Sequence, residues 1–284
     1  DHVGEMDSHI RIYRPDYSIM TNVGAAHIGR LGNLETIARE KSKIFHPGVK
    51  HGYIHEDNVW KGYLGDLRGL EFREFGRAGT QGFRGADNLG LDGWRIRYED
   101  RAFHLRHVGI HNLLNALAAI SLARDLGAEP RQVADGLASL EPMQGRSRIV
   151  HGGVTVIDDC YNANLESTSR ILQYMQELPW SGRKAIVAGS MKELGNVSAS
   201  SHEAVGRKIH SIAPEAAFFF GKEMYQAYRS VRDAASVNRL FYTDSFEELD
   251  RAVSQFVDDG DLLLLKGSRA MGLERLMESL GMAS

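Results

Sequence analysis

The segment Asp158-Asp159-Cys160-Tyr161-Asn162-Ala163-Asn164 puts five polar residues among seven directly after an apolar, β-prone run near 154–157. A carboxylate at the end of a buried strand suits ribose hydroxyls or a substrate ammonium. The alternative is a turn in which Asp and Asn cap the following helix. Lys266-Gly267-Ser268-Arg269 sets two cations at another strand end before a helix, where an anion would also feel the helix N-terminus; solvated charges are the plainer reading. Arg146, beside a glycine in a linker, offers a planar fork for phosphate or is an ordinary exposed arginine.

Nearer the start, Leu34, Ile37, Ala38, Lys41 and Phe45 recur at helical spacing, so Lys41 is expected on the inward face, with Lys43 pointing elsewhere. A buried ammonium calls for an anionic partner or chemical modification, unless its stem packs and its head reaches water. Thr21-Asn22-Val23-Gly24-Ala25-Ala26-His27 ends a strand, and the imidazole of His27 there is either a metal ligand or simply solvated. Asn112 and Asn115 fall three apart at the start of a helix. Two amides can read the edge of a base, and Asn also caps helices.

The elements that must hold these residues follow from periodicity. A strand over 17–23 leads through a loop to a helix over about 33–45. Glycine-punctuated alternation between about 52 and 108 predicts antiparallel hairpins. Helices follow over 110–126 and 130–140. From there, apolar runs near 154–157, 185–188, 216–220, 240–242 and 262–265 alternate with helix-length segments, which predicts a parallel sheet covered by helices. Gly189-Ser190-Met191-Lys192-Glu193-Leu194-Gly195 is a further polar cluster after one of these strands. A domain boundary is expected near residue 147, giving an α/β protein with units 1–147 and 148–284.

With 284 residues, 43% of them hydrophobic and 25% charged, the chain can build two cores. A net charge of -3 provides no broad basic field for nucleic acid. One cysteine, no signal peptide and no apolar run long enough for a membrane point to a cytoplasmic protein. The first residues carry no initiator methionine, so a longer gene product is expected.

Taken together, the motifs resemble the Mur ligases, and within them the MurF branch: Thr-Asn-Val-Gly-Ala-Ala-His at 21–27, Ile-Ala-Arg-Glu-Lys-Ser-Lys-Ile-Phe at 37–45, Gly-Ile-His-Asn-Leu-Leu-Asn-Ala-Leu-Ala-Ala at 109–119, Gly-Arg at 145–146, Asp-Asp-Cys-Tyr-Asn-Ala-Asn at 158–164 and Lys-Gly-Ser-Arg at 266–269. The resemblance implies the later part of a central ATPase domain followed by a Rossmann-like C-terminal domain, with loops of both around one nucleotide. It implies ATP and Mg2+ as cofactors. UDP-N-acetylmuramoyl-tripeptide and D-alanyl-D-alanine would be the partners of a monomeric ligase that forms an amide bond through an acyl phosphate. By the same resemblance Lys41, carbamylated, and His27 hold the metal, Asn22, Asn112, Asn115, Arg146 and Asp159 bind the nucleotide, and Tyr161, Asn162, Asn164, Lys266, Ser268 and Arg269 lie toward the peptide substrates.

The departures are informative. No G-x-x-x-x-G-K-[ST] phosphate loop occurs in these residues, so this chain alone is expected not to hydrolyse ATP. Ser190 stands where the family's Gly-Asp-Met motif has aspartate, and Leu165 replaces a common proline. Two rivals remain: a non-catalytic Mur-like binding module, and an oxidoreductase. The second requires a G-x-G-x-x-G turn after the first strand of the C-terminal domain, where Asp158 to Asn164 stand instead.

Overall fold

A strand buried on both faces must be apolar throughout, whereas a hairpin strand with one wet face alternates. Both patterns occur in this chain. The computed structural model describes residues 2–24, 28–234 and 237–282, which fall into two compact units, Asp1–Glu141 and Pro142–Ser284. The division precedes the expected boundary at 147. Residues 142–147 go with the second unit because the backbone N–H groups of Gly145 and Ser147 donate to the carboxylates of Asp158 and Asp159.

The first unit runs α1 (Glu5–Tyr13), β1 (Tyr17–Met20), α2 (Ile28–Leu31), α3 (Leu34–Ser42), β2 (His51–His55), α4 (Lys61–Arg68), β3 (Arg73–Phe75), β4 (Phe83–Asn88), β5 (Trp94–Tyr98), β6 (Arg101–Leu105), α5 (Ile110–Asp125) and α6 (Pro130–Ala138). Strands β4, β5 and β6 form the expected antiparallel sheet. Along β5, Trp94, Ile96 and Tyr98 turn inward by strict alternation and pack with Leu113, Leu117 and Ile120 of α5. Residues 51–75 differ from the expected hairpins. Here β2 and β3 extend a parallel sheet in the order β1-β2-β3, with α4 as the crossover. Gly62 and Gly65 dilute the helical signal of α4, which is why its sequence looks like a turn. The Tyr53 hydroxyl donates to Asp125 at 2.5 Å, and Arg73 pairs with the same carboxylate, so β2, β3 and α5 share one polar tie.

The second unit runs β7 (Arg148–Val150), β8 (Thr155–Asp159), α7 (Leu165–Glu177), β9 (Lys184–Gly189), α8 (Ser198–Ile212), β10 (Ala216–Phe220), α9 (Tyr225–Arg232), β11 (Arg239–Thr243), α10 (Phe246–Ser254), β12 (Leu262–Lys266) and α11 (Arg275–Ser279). Its six strands are ordered β11-β10-β9-β12-β8-β7. All are parallel except β7, an antiparallel edge strand that periodicity did not reveal. Leu262, Leu263, Leu264 and Leu265 are all 0% exposed, and each such side chain contributes about 1.5–3 kcal/mol relative to exposure. Polar side chains of this unit are therefore concentrated where the strands stop. No described helix is long and apolar enough to cross a membrane.

Candidate functional site

The parallel register sets Lys266, last residue of β12, beside Asp159, last residue of β8. Lys266 is 3% exposed, so its ammonium needs protein partners in place of water. It donates to Asp159 Oδ2 at 2.6 Å and to the carbonyl of Asn162 at 2.8 Å. The other oxygen of Asp159 accepts from the Ser147 backbone N–H at 2.9 Å and its hydroxyl at 3.0 Å. Ser147 sits at φ 54, a left-handed conformation that costs a non-glycine residue energy and that these bonds hold in place.

Asp158, fully buried, turns the other way. Its carboxylate accepts from the Gly145 N–H at 2.8 Å and the Cys160 thiol at 2.9 Å, with Arg148 3.5 Å away. Burial and the adjacent Asp158 push the Cys160 thiol up. Cys160 is thus a neutral donor and not a nucleophile. Gly145 adopts φ 72, and a Cβ there would come 2.9 Å from the Tyr161 nitrogen; that nitrogen donates to the Gly145 carbonyl at 2.9 Å. This close approach fixes Arg146 over Tyr161, with its guanidinium 4.1 Å from the ring centroid and that of Arg269 at 5.3 Å. Two cations thus stack on one half-exposed ring, and Tyr161 and Arg269 line a cleft of ≈ 250 Å³ whose walls also include Met143, Gln144 and Glu274. Its chemistry suits an anionic group with an adjoining flat or apolar part.

The rest of the segment is less free. Asn162 is exposed, and its side-chain oxygen accepts from Ala163 N–H at 2.8 Å. Asn164 is the N-cap of α7: its side chain accepts from Ser167 N–H at 2.8 Å, and Ser167 reciprocates. The helix-capping alternative therefore accounts for Asn164. Ser268 is buried and accepts from the Lys192 N–H at 2.9 Å.

In the first unit Asn22 is exposed just after β1, and His27 lies outside the described residues. Lys41 is half-buried, and Leu34 is 41% exposed. The α-helix ends at Ser42. The inward places on that turn belong to Glu40 and Ser42. Glu40 accepts from Gly4 and Met6 N–H at 2.9 and 3.0 Å and pairs with Lys43 at 2.7 Å. Burial pushes the Glu40 carboxyl up, yet Lys43 and these N–H groups hold it below its usual range. Lys43 also pairs with Asp7 at 2.6 Å. Asn112 donates to the Val108 carbonyl at 2.8 Å, four residues back and just before α5, so part of its amide is used by the backbone that leads into its helix. Asn115 is exposed beside a groove of ≈ 330 Å³ lined by Ile19, Thr21, Ala118 and Leu122.

The structure thus gathers Arg146, Asp159, Tyr161, Lys266 and Arg269 at one edge of the second unit's sheet. Asn164 caps its own helix, and Asn112 gives one amide hydrogen to the Val108 carbonyl before α5. Sequence reasoning missed the roles of Ser147, Asp158 and Cys160. The doubled aspartate was a signal that one of the pair faces inward, because successive strand residues point to opposite faces.

Residues 1–123 match the Mur ligase middle domain, and residues 145–269 match the Mur ligase, glutamate ligase domain. The chain belongs to the Mur ligase family. It is 34% identical over 281 residues to the UDP-N-acetylmuramoyl-tripeptide–D-alanyl-D-alanine ligase of Treponema pallidum, covering 96% of this chain and 60% of that protein. Its likeness is therefore to the MurF branch. The crystal structure of MurF from Acinetobacter baumannii has the same fold, with a TM-score of 0.84 at 24% identity over 98% of this chain and 62% of that one. MurF from Thermotoga maritima, solved in complex with ADP, gives a TM-score of 0.80 at 25% identity over 97% of this chain and 64% of that one. The chain spans about 60% of the length of the curated relatives it matches.

Proposed function

We propose that the protein containing this chain is a cytoplasmic, monomeric ligase of peptidoglycan precursor synthesis, joining D-alanyl-D-alanine to UDP-N-acetylmuramoyl-tripeptide with ATP through an acyl phosphate. Membership of the family and the likeness to the Treponema ligase support the substrate assignment. The observation that carries the chemistry is the cluster of Arg146 and Arg269 around Tyr161, next to the Asp159–Lys266 pair. Bringing a carboxylate against a phosphate joins two anions, and pre-placed guanidiniums lower that barrier without reorganising at the moment of reaction.

In this reading Arg146 meets the phosphates and Asp159 the ribose, its carboxylate held in place by Ser147 and Lys266. Asn22, Asn112 and Asn115 serve the nucleotide's base side, and the apolar wall beside Asn115 suits a purine. Tyr161, Asn162, Ser268 and Arg269 face the peptide side. Lys266 acts from behind by orienting Asp159, and Asn164 acts by starting α7. His27 and carbamylated Lys41 would hold the nucleotide's Mg2+, which neutralises phosphate charge when bound.

The test is ADP release by the full-length protein. Release is expected only when both D-alanyl-D-alanine and UDP-N-acetylmuramoyl-tripeptide are present. Release that continues undiminished when either is omitted overturns the reading.

A further inference from the structure

Outside the residues assigned so far, one charged pair stands at the carboxyl ends of β9 and β10. Lys192 Nζ lies 2.7 and 2.9 Å from the two oxygens of Glu223. Both side chains are more than a third exposed, at 39% and 36%. An ion pair in that position adds little to stability. The backbone that aims it is nonetheless laced together. Ser190 N–H donates to the Phe220 carbonyl at 3.0 Å, and Ser268 N–H to the Ser190 carbonyl at 3.2 Å. Lys192 N–H donates to Ser268 Oγ at 2.9 Å, and Met191 N–H to His202 Nε2 at 3.0 Å.

The turn that delivers Glu223 is equally specified. Gly221 takes φ +98, and a Cβ there would come 2.5 Å from Ser190 Oγ, so the loops after β9 and β10 close only around a glycine and a small side chain at 190. Burial pushes the Glu223 carboxyl up, but Lys192 and the Ser190 hydroxyl outweigh it and bring the group down to about 2. Glu223 is an anion at every working pH. A fixed anion and a fixed cation, both partly open to water at the edge where ligands of parallel sheets gather, match a small molecule with one charge of each sign.

We propose that Glu223 and Lys192 form a clasp for the incoming acceptor, taking the ammonium of a short zwitterionic peptide on Glu223 and its terminal carboxylate on Lys192. The clasp rests on the ligase reading for the identity of that peptide. The pair opens to exchange its internal bond for two bonds to the ligand, so the charges remain satisfied before and after binding. Glu223 holds the amine end near the strand ends, and the carboxylate contact rejects acceptors without a free C-terminus.

The experiment uses full-length protein with D-alanyl-D-alanine as the probe, binding being read by calorimetry and turnover by ADP release. Lys192→Met and Glu223→Gln are each expected to weaken dipeptide binding and raise its KM by about tenfold, as for the loss of one charge-assisted hydrogen bond, while the KM values for ATP and the tripeptide precursor stay unchanged. N-acetyl-D-alanyl-D-alanine, which lacks the ammonium, is expected to bind weakly to the unsubstituted protein and to be insensitive to Glu223→Gln. The double variant Lys192→Glu with Glu223→Lys separates a clasp from a strut. It restores an ion pair, yet it presents the charges in reverse, so the dipeptide KM stays high. Normal dipeptide binding in the two single variants, or full recovery in the double variant, overturns the clasp. If clasp-dependent binding is found without dipeptide-stimulated ADP release, the clasp stands and the ligase reading fails.

Discussion

His202 shows how a single buried side chain can report on the site. It is 0% exposed, and its Nε2 accepts the Met191 N–H, so Nδ1 carries the proton and donates to the Ser198 carbonyl at 2.7 Å. That geometry requires a neutral ring. Burial accordingly holds its pKa below the usual 6.5. For a base with a lowered folded pKa, the unfolded chain takes up the proton first, so stability is fully present above about pH 6.5 and falls as pH drops below it. Hydrogen exchange at the Met191 amide is expected to accelerate as the pH is lowered from 7 to 5, after correction for intrinsic rates. In His202→Gln, where no ring titrates, that pH dependence should vanish. At this scale the sequence showed where polar groups crowd but not how they divide their work. Asp158 and Asp159 are neighbours in the chain, yet one locks Gly145 and Cys160 inside while the other meets Lys266. Only the pairing of β8 with β12 decides that, and it joins residues 107 apart.

At the scale of elements, the long periodic segments were legible because their burial patterns are simple. The helix over 110–126 and the five parallel strands of the second unit fall within a residue or two of where periodicity put them, while β7 went unseen. The segment over 51–75 was not, since a short glycine-containing helix between two brief strands carries too few residues to display a period. On α3 the inferred face held at Ile37, Ala38 and Phe45, which are buried, whereas Lys41 is half-buried and Leu34, on the first turn, is exposed. Asn164 gives the test at this level. As the N-cap of α7, its replacement by alanine should cost about 1 kcal/mol of stability, measured by denaturant unfolding, and serine should recover most of it. A serine variant that regains stability but not ligase activity would return Asn164 to the substrate side.

At the scale of the whole molecule, each unit carries its own core, one around Trp94, Ile96 and Leu117 and the other around Val187, Phe218 and Leu263. Residues 142–284 produced alone are therefore expected to unfold in one cooperative transition. A version stopped at residue 258, before β12, should show none. The family was legible because six short motifs spread along the chain agree in order, whereas the linker over 142–147 goes with the second unit through hydrogen bonds that composition does not reveal. The sheet order has a final consequence. Strand β12 is the last described strand of its unit in chain order, yet it lies between β8 and β9 and pairs with both. A ribosome releasing this unit from its N-terminal end exposes two unmated strand edges until residues 262–266 emerge. Nascent chains should consequently engage holdase chaperones late in translation, and Lys266 would complete its contact with Asp159 in the same step that seals the sheet.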